Sequence, residues 1–418
     1  MAEWRETTLG EICDQVAGVI QTGPFGSQLH ESDYSTDGIP VVMPKDIIEG
    51  RIVTESVARV APEHINRLAR HKLKRGDIVY GRRGDIGRQA LIREEQDGWL
   101  CGTGCLRISL GDSVIEPLFL HYYLRQGSVI GWIANQAVGA TMPNLNTGIL
   151  RSVPVHVPSL ITQRRVAGIL SAYDELIENN LRRIRILEEM ARALYREWFV
   201  HFRFPGHEAV HHVASPLGPI PQGWEVGMLG DFVQFKSGFA FKSGTFSADG
   251  EHRLVTIKNV QDGLFKPECD SRLNDLPEKL PSYCILEDGD ILLSLTGNVG
   301  RVCLVYDGPF LLNQRVAKLA PSEASDWAST YCMFRDLDMQ VKLEQLSNGV
   351  AQQNLSPVLA SKMEFARPPR ELRGRFAALV EPMLRRIVQI YSTNSNLRRT
   401  RDLLLPRLFS GNLVLSSQ

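Results

Sequence analysis

The string His207-Glu208-Ala209-Val210-His211 is the one part of this sequence that matches a metal-dependent catalytic motif. On an α-helix, two histidines four positions apart share one face and can bind zinc, while the glutamate acts as a general base. Here Pro205-Gly206 precedes the string and Pro216 follows it closely, so a helix of sufficient length cannot form. We therefore interpret the string as part of a linker and expect no metal site. An enzyme that uses His207, Glu208 and His211 is the alternative, and it would contain zinc.

Other signatures of catalysis or nucleotide binding are missing from the sequence. It has no Gly-x-x-x-x-Gly-Lys-Ser/Thr or Gly-x-Gly-x-x-Gly loop, no Gly-x-Ser-x-Gly elbow and no Asn/Asp-Pro-Pro-aromatic string. Cys101 and Cys105 are close, but four ligands at zinc spacing do not surround them. Seven cysteines without framework spacing predict reduced thiols and a cytoplasmic location. No apolar stretch of roughly 18 residues occurs, so no membrane contact is expected. We predict a binding protein with no catalytic residue.

Charge is balanced over the chain, with 47 basic and 47 acidic residues, so binding to nucleic acid would need a locally positive surface. The C-terminal helical segment from Arg370 to Gly411 could provide one, because it has nine arginines, no lysine and only three acidic residues. Such a strip is more often a solvated helix face, but it could also contact phosphates or an acidic partner.

The sequence repeats itself over more than a hundred residues. Gly76-Asp77-Ile78 and Gly84-Asp85-Ile86-Gly87-Arg88 return 213 positions later as Gly289-Asp290-Ile291 and Gly297-Asn298-Val299-Gly300-Arg301. Trp4 and Leu9-Gly10-Glu11 return as Trp224 and Leu229-Gly230-Asp231, and Gly139, Asn144-Leu145 and Pro158 return as Gly349, Asn354-Leu355 and Pro368. A solenoid unit has roughly 20–50 residues, so this period indicates two whole domains of one fold. We interpret each Gly-Asp-Ile as a turn that enters a buried strand.

Short β-type runs separated by Gly and Pro predict a mixed α/β fold for both copies, residues 1–158 and 224–369. The predicted strands include Pro40–Met43, Asp77–Tyr80, Gln89–Ile92, Val153–Val157, Gly289–Leu295 and Arg301–Val305, and Pro117–Arg125 is a predicted helix. Residues 205–223, rich in Pro, Gly and His, are predicted to form a linker, and 412–418 a short tail.

A long helical segment follows each copy, at residues 159–204 and 370–411, with a heptad pattern of apolar residues. The first seam comprises Val166, Leu170, Tyr173, Ile177, Asn180, Ile184, Leu187, Ala191, Leu194 and Trp198. The second comprises Phe376, Val380, Met383, Ile387, Ile390, Asn394, Leu397, Arg401, Leu404 and Leu408, each 210 positions after its counterpart. Long apolar seams need a partner, so we predict that the two helices pair. The alternative is that each helix packs only on its own domain.

The two seam asparagines indicate how the helices pair. In an antiparallel pair with flush ends, the numbers of facing residues sum to 574, so Asn180 faces Asn394. In a parallel pair each asparagine would face an isoleucine, which would leave both amides without a partner. We therefore predict an antiparallel coiled coil whose paired asparagines fix the register. Pro382 predicts a kink or a new helix start within the second segment.

The order of these features resembles that of the specificity subunit of type I restriction–modification systems, over the whole chain. The strings that carry the resemblance are Gly23-Pro24-Phe25-Gly26-Ser27 with Gly38-Ile39-Pro40, Gly238-Phe239-Ala240-Phe241, the two Gly-Asp-Ile strings, Pro219-Ile220-Pro221-Gln222-Gly223-Trp224, Gln352-Gln353-Asn354-Leu355-Ser356 and Leu403-Leu404-Leu405-Pro406-Arg407-Leu408. The family usually has Gln where the helix starts, as at Gln163, whereas the second copy has Arg373 there. This departure leaves the geometry of the second helix start open.

The resemblance implies two mixed α/β target recognition domains separated by two long helices that form an antiparallel coiled coil with pseudo-twofold symmetry. Each domain would read one half of a split sequence in double-stranded DNA. The 32 residues from Val166 to Trp198 would span roughly 48 Å, or about fourteen base pairs, as an upper bound for the gap between the halves. The resemblance also implies two adenine methyltransferase subunits and motor–nuclease subunits as partners. S-adenosylmethionine, ATP and magnesium would be bound by those partners and not by this chain.

Under this resemblance, the candidate DNA-binding residues are Lys45, Arg82, Arg83, Arg88, Lys258, Asn298, Arg301, Gln314 and Arg315. Lys45 and Lys258 occupy one repeat position, and Arg88 and Arg301 another, so we expect these four to contact phosphates, which both half-sites share. Arg82-Arg83 correspond to Leu295-Thr296, so we expect the two arginines to read bases. Plain surface charge is the alternative for each. A recognition subunit whose partner methylates and cuts in one polypeptide, and a protein scaffold without DNA binding, are the alternative functions.

Overall fold

The computed structural model of the chain describes residues 4–25, 28–54, 57–84, 86–136, 144–347 and 353–410. Gly26, Ser27, Asp85, Gly139, Gly349, Gln352 and the predicted tail 412–418 lie outside the described residues. Residues 1–175 and 398–418 form one unit, and residues 176–397 form a second unit. Each unit therefore contains one copy of the repeat and part of both long helices.

The first copy consists of short strands and helices with the mixed α/β order that the sequence predicts. Its strands are β1 (Arg5–Thr8), β2 (Val19–Thr22), β3 (Tyr34–Ser35), β4 (Ile39–Val42), β5 (Ile47–Ile48), β6 (Arg51–Ile52), β7 (Ala58–Val60), β8 (Ile78–Gly81), β9 (Gln89–Leu91), β10 (Leu100–Cys101), β11 (Cys105–Ser109) and β12 (Pro154–Val157). Its helices are α1 (Leu9–Gln15), α2 (Pro117–Tyr123), α3 (Gly127–Gln136) and α4 (Thr147–Arg151), and the long helix α5 (Leu160–Tyr195) follows.

The second copy repeats this order. After β13 (His212–Val213) and β14 (Ile220–Pro221), its strands are β15 (Glu225–Met228), β16 (Val233–Ser237), β17 (His252–Val255), β18 (Val260–Gln261), β19 (Leu264–Phe265), β20 (Arg272–Leu273), β21 (Ile285–Leu286), β22 (Ile291–Ser294), β23 (Val302–Leu304), β24 (Phe310–Leu312), β25 (Val316–Pro321) and β26 (Glu364–Arg367). Its helices are α6 (Leu229–Phe232), α7 (Trp327–Phe334), α8 (Leu337–Gln345) and α9 (Pro357–Ser361), and the long helix α10 (Arg370–Phe409) follows.

The same four-stranded sheet lies at the centre of both copies. Its strand order is β2-β11-β8-β9 in the first copy and β16-β25-β22-β23 in the second, with antiparallel neighbours. The register also repeats, since Tyr80 faces Leu106 and Leu293 faces Ala317. The repeat that the sequence predicts is therefore confirmed at the level of strand pairing.

The repeated sequence motifs have structural explanations. Gly76 and Gly289 have φ of 88° and 90°, and the following aspartates accept backbone N–H groups at 2.9 Å, so each Gly-Asp-Ile is a turn that leads into a buried strand. Gly10 is required for a close approach, because a Cβ there would lie 2.9 Å from the Arg151 carbonyl oxygen. The prediction for the Gly-Asp-Ile strings is confirmed.

The long helices also follow the sequence prediction, with two corrections. α5 continues as a π-helical turn over Arg196–Val200, so it ends before the predicted residue 204. α10 passes through Pro382 without a new start, so of the two expectations for Pro382, a kink or a new helix start, the new start is wrong. Pro382 and Ala378 are exposed, and water can therefore bond the Ala378 carbonyl that proline leaves without its helical N–H partner.

Candidate DNA interface

In each copy, five backbone hydrogen bonds hold the loops at one end of the central sheet. In the first copy they run from Gly23 N to Cys105 O, Gly102 N to Val42 O, Arg82 N to Gly104 O, Leu145 N to Arg82 O and Gly81 N to Arg88 O, at 2.7–2.9 Å. In the second they run from Gly238 N to Val316 O, Asn313 N to Val255 O, Leu295 N to Arg315 O, Leu355 N to Leu295 O and Ser294 N to Arg301 O, at 2.8–3.2 Å. We call each set the loop frame. The candidate DNA-binding residues lie on or beside these frames.

Lys45 and Lys258 lie on equivalent turns beside the frames. The turn of Lys45 is closed by the Asp46 carboxylate, which accepts the Met43 N–H at 2.9 Å. The turn of Lys258 is closed by the Asn259 amide oxygen, which accepts the Thr256 N–H at 2.8 Å. Both lysines are exposed, but Lys258 forms an ion pair with exposed Asp270 at 2.9 Å. The predicted equivalence of the two lysines is therefore matched in backbone position but not in electrostatic surroundings.

Arg82, Arg83 and Arg88 lie around the loop that joins β8 and β9. Arg83 and Arg88 are exposed, whereas Arg82 is half-buried. The Arg82 Nε donates to Asn144 Oδ1 at 3.1 Å and to the Leu145 carbonyl at 3.0 Å. Its guanidinium also lies 5.9 Å from the centre of the Phe25 ring. Arg82 therefore connects three segments of the first copy.

The equivalent loop of the second copy joins β22 and β23 and contains Asn298 and Arg301. Arg301 is half-buried and donates to Gln261 Oε1. With the Asn298 amide oriented so that its oxygen faces Arg301, this oxygen accepts from the guanidinium at 2.9 and 3.1 Å. Arg301 is thus engaged within its own domain. Gln314 and Arg315 are exposed at the adjoining loop.

Asn180 and Asn394 form the polar layer that the sequence predicts. The Asn180 Nδ2 donates to Asn394 Oδ1 at 2.8 Å, and both residues are buried. In the same unit, the rings of Trp198 and Phe376 lie 5.8 Å apart, and their numbers also sum to 574. Both facing pairs confirm the antiparallel register. Seam residues of both helices also join the domain cores, so the helices pack on each other and on the domains.

The start of the second long helix keeps the geometry of the first with different side chains. Gln163 Oε1 accepts the Glu116 N–H at 2.8 Å, and its Nε2 donates to the Pro158 carbonyl at 2.9 Å. Arg373 donates to the Pro368 carbonyl at 3.2 Å and forms a buried ion pair with Asp326. Burial raises the pKa of Asp326 although Arg373 opposes this. The ion pair replaces the amide, so the departure from Gln does not change the helix start.

Sequence reasoning missed the acidic residues of α5 that hold the domains on the helices. In the first unit, Asp174 accepts from the Tyr122 hydroxyl at 2.7 Å and pairs with Arg401 and Arg125. Burial opposes ionisation of Asp174, but these partners outweigh it, and the pKa of the carboxyl is lowered. In the second unit, Glu188 pairs with Arg335 at 2.7 Å. Arg125 and Arg335 are 210 positions apart, which was the signal available in the sequence.

Part of the arginine-rich segment is neutralised by contacts within the units. Arg373 pairs with Asp326, Arg385 with Glu381, Arg398 with Glu49 and Arg401 with Asp174. These four arginines therefore add less positive charge to the surface of α10 than the sequence alone suggests. Exposed arginines of this helix include Arg375, Arg399 and Arg407.

The possible metal and thiol chemistry does not assemble into a site. His207–Ala209 form a single 3₁₀ turn, so His207 and His211 do not share a helix face as a zinc motif requires. Over the described ranges, no three His, Cys, Asp or Glu residues lie close enough to hold a metal ion.

Burial raises the pKa of the Cys101 thiol to about 12 and also raises that of Cys105. These thiols therefore stay protonated within the core.

Comparisons with known proteins agree with this duplicated, loop-presenting architecture. The family model of the type I restriction modification DNA specificity domain matches residues 1–189 and 221–364. The MjaIX specificity subunit of Methanocaldococcus jannaschii is 26% identical over 98% of this chain and 96% of its own length. The HindI specificity subunit of Haemophilus influenzae is 21% identical over 99% and 100%. The crystal structure of a type I S subunit from M. genitalium has the same fold, with a TM-score of 0.58, 18% identity and coverage of 98% and 96%.

Two repeated mixed α/β domains and two long helices define a specificity protein, in which loops on a fixed framework are available for recognition. The chain belongs to the family of type I restriction–modification DNA specificity subunits. Its role is that of the specificity component of such a system. This component is not itself an enzyme. No helix in the part of the chain that the structure describes combines the length and the apolar character needed to cross a membrane.

Proposed function

We propose that this chain recognises a bipartite double-stranded DNA sequence, with each copy of the repeat reading one half. The observation that carries this proposal is the loop frame, which occurs in both copies with exposed polar and basic side chains around it. Such side chains can contact phosphates and base edges when a framework fixes their backbone. Similar frames with different side chains suit two half-sites that share a backbone but differ in sequence.

The catalytic steps would belong to partner subunits. We propose that two adenine methyltransferase subunits, which bind S-adenosylmethionine, and motor–nuclease subunits, which use ATP and magnesium, assemble on this chain. The names of its relatives, which are specificity subunits of type I restriction enzymes, support partners of this kind. We further propose that assembly takes place in the cytoplasm.

The test is co-expression of this chain with the methyltransferase encoded next to it, followed by sequencing of modified adenines in a random DNA library. We expect a motif with two fixed halves and a constant gap. The methyltransferase expressed alone is the control and should leave the library unmodified. If the complete complex gives no modification and its DNA affinity does not depend on salt, the proposal is wrong and a protein scaffold is favoured.

A further inference from the structure

Arg82 and Arg83 point to opposite sides of the central sheet. Side chains alternate along a strand, so Arg82 continues the row of Ile78 and Tyr80, whereas Arg83 continues the row of Val79 and Gly81. Ile78 and Tyr80 pack in the core that also contains Leu145, and Val79 packs in a different core. The contact of Arg82 with the Leu145 carbonyl agrees with this alternation.

Arg82 occupies a position that an apolar residue fills in the second copy. Its counterpart Leu295 makes the same two backbone hydrogen bonds of the loop frame and is 4% exposed. In the first copy, the Arg82 side chain occupies this position, where it donates hydrogen bonds to Asn144 and Leu145 and its guanidinium lies near the Phe25 ring. The same position holds an arginine bonded within the domain in one copy and a buried leucine in the other. Its side chain therefore stabilises the loop and does not contact a DNA base.

Arg83 lies on the side of the sheet that carries the other exposed basic residues of the frame. A side chain at Gly81 would lie 3.8 Å from Pro44 Cβ and 3.5 Å from Arg88 Cβ, so this side faces the Lys45 turn and Arg88. The backbone of Arg83 is fixed by its bridge to Asn144, and Gly84 follows with φ of 84°. An exposed guanidinium on a fixed backbone is suited to a bidentate contact with guanine.

We propose that Arg83 is a specificity-determining residue of the first domain and that Arg82 is a positioning residue that holds the loop of Arg83. This inference rests on the proposed function and deepens it, because it assigns different roles to two adjacent arginines. The ligand of Arg83 is the major-groove edge of a guanine in the first half of the target.

The experiment compares the methylated motif of the complete complex that carries Arg83→Ala, Arg82→Ala, Arg82→Leu or Arg75→Ala. We expect Arg83→Ala to relax one base pair of the first half, with roughly a ten- to hundredfold loss of discrimination there. Arg82→Ala should lower the fraction of sites methylated without changing the motif, and Arg82→Leu should restore part of that fraction. Arg75→Ala is the matched control, because Arg75 is exposed near the opposite end of β8. It should change neither quantity.

Three outcomes would overturn the assignment. These are a motif relaxed by Arg82→Leu, a motif left intact by Arg83→Ala, and equal effects of leucine and alanine at position 82. Thermal unfolding of each purified complex shows whether a variant has lost its fold, and Arg83→Ala tests the reading role even if both Arg82 variants unfold. The complex with the unmodified chain tests the proposed function separately. If that function is wrong, this complex gives no bipartite motif.

Discussion

Equivalent positions of the two copies carry different side chains that fulfil the same structural requirement. Asp46 and Asn259 close the same turn with a carboxylate and an amide. Gln163 and Arg373 anchor the same helix start, one as a neutral amide and the other through an ion pair. The local shift between the copies, 213 positions at Asp46 and 210 at Gln163, locates such pairs of positions in the sequence. It does not reveal that Arg373 has Asp326 as its partner, because that contact depends on how helices α7 and α10 meet.

We expect a buried histidine to make the stability of the first unit sensitive to acid. His121 is buried, and its Nδ1 lies 3.0 Å from Gln89 Oε1, with the ring proton assigned to Nδ1 because this oxygen can only accept. Burial lowers the pKa of His121 to about 3, and Arg125 adds to the effect. In the unfolded chain the ring would have a pKa of about 6.5. The stability that neutral His121 contributes is therefore complete above about pH 6.5 and is lost as the pH falls towards 3.

We expect the free energy of unfolding of the first unit to fall by about 2–3 kcal/mol between pH 6.5 and pH 4.5 through His121 alone. His121→Asn should remove this part of the fall while retaining an N–H donor. Urea unfolding at both pH values, followed by hydrogen exchange, separates peptides of the first unit from those of the second. An unchanged acid dependence in the variant would show that His121 is protonated in the folded unit as well.

The elements of this fold differ in how well the sequence predicts them. Helices α5 and α10 and their facing asparagines follow from heptad spacing alone, because a buried amide needs a partner and one register supplies it. Strands β8 and β22 follow from Gly-Asp-Ile turns. The sequence did not predict that the Arg82 side chain points into the domain. This orientation depends on a contact with Asn144, which lies 62 positions further along the chain and packs beside the end of β8 only in the folded domain. Local patterns fix elements, whereas long-range contacts decide which arginine is exposed.

The asparagine layer should be coupled energetically. Asn180→Leu alone removes the Nδ2 group that donates to Asn394 Oδ1, so the Asn394 amide stays buried without its partner. This change should lower the free energy of unfolding by about 1–3 kcal/mol. The double variant with Asn394→Leu should regain that loss, since the Asn394 Nδ2 already has no hydrogen-bond partner and an apolar layer buries no polar group. Calorimetric unfolding of both single variants and the double variant measures the coupling. Additive effects would contradict the facing register.

At the scale of the whole molecule, electrostatics depend on where charge is exposed and not on its sum. The 47 basic and 47 acidic residues cancel, and several arginines of α10 are neutralised by carboxylates. DNA affinity should therefore come from a small number of exposed cations near the loop frames. A chain of this kind should show a modest dependence of affinity on salt, because the slope counts the phosphates that are neutralised.

The two frames should contribute unequally to this dependence. Lys45→Ala should weaken binding to all sequences alike and reduce the slope of log affinity against log salt by about 1, as expected for one lost phosphate contact. Lys258→Ala should have a smaller effect, because Asp270 already lies 2.9 Å from the lysine and competes with phosphate. Asp270→Asn should then strengthen binding and steepen the slope, since it frees Lys258 and removes a negative charge.

Titrations of a target duplex with the complete complex, at several salt concentrations, measure these slopes. Glu94→Gln is the matched control, because Glu94 is an exposed carboxylate that lies 4.0 Å from Arg75, away from the loops of the first frame. A change in the methylated motif with Lys45→Ala would contradict a phosphate contact and make this lysine a base reader. An Asp270→Asn variant that binds no better than the unmodified chain would show that Lys258 does not approach the DNA backbone, so that the first frame carries the greater share of the nonspecific affinity.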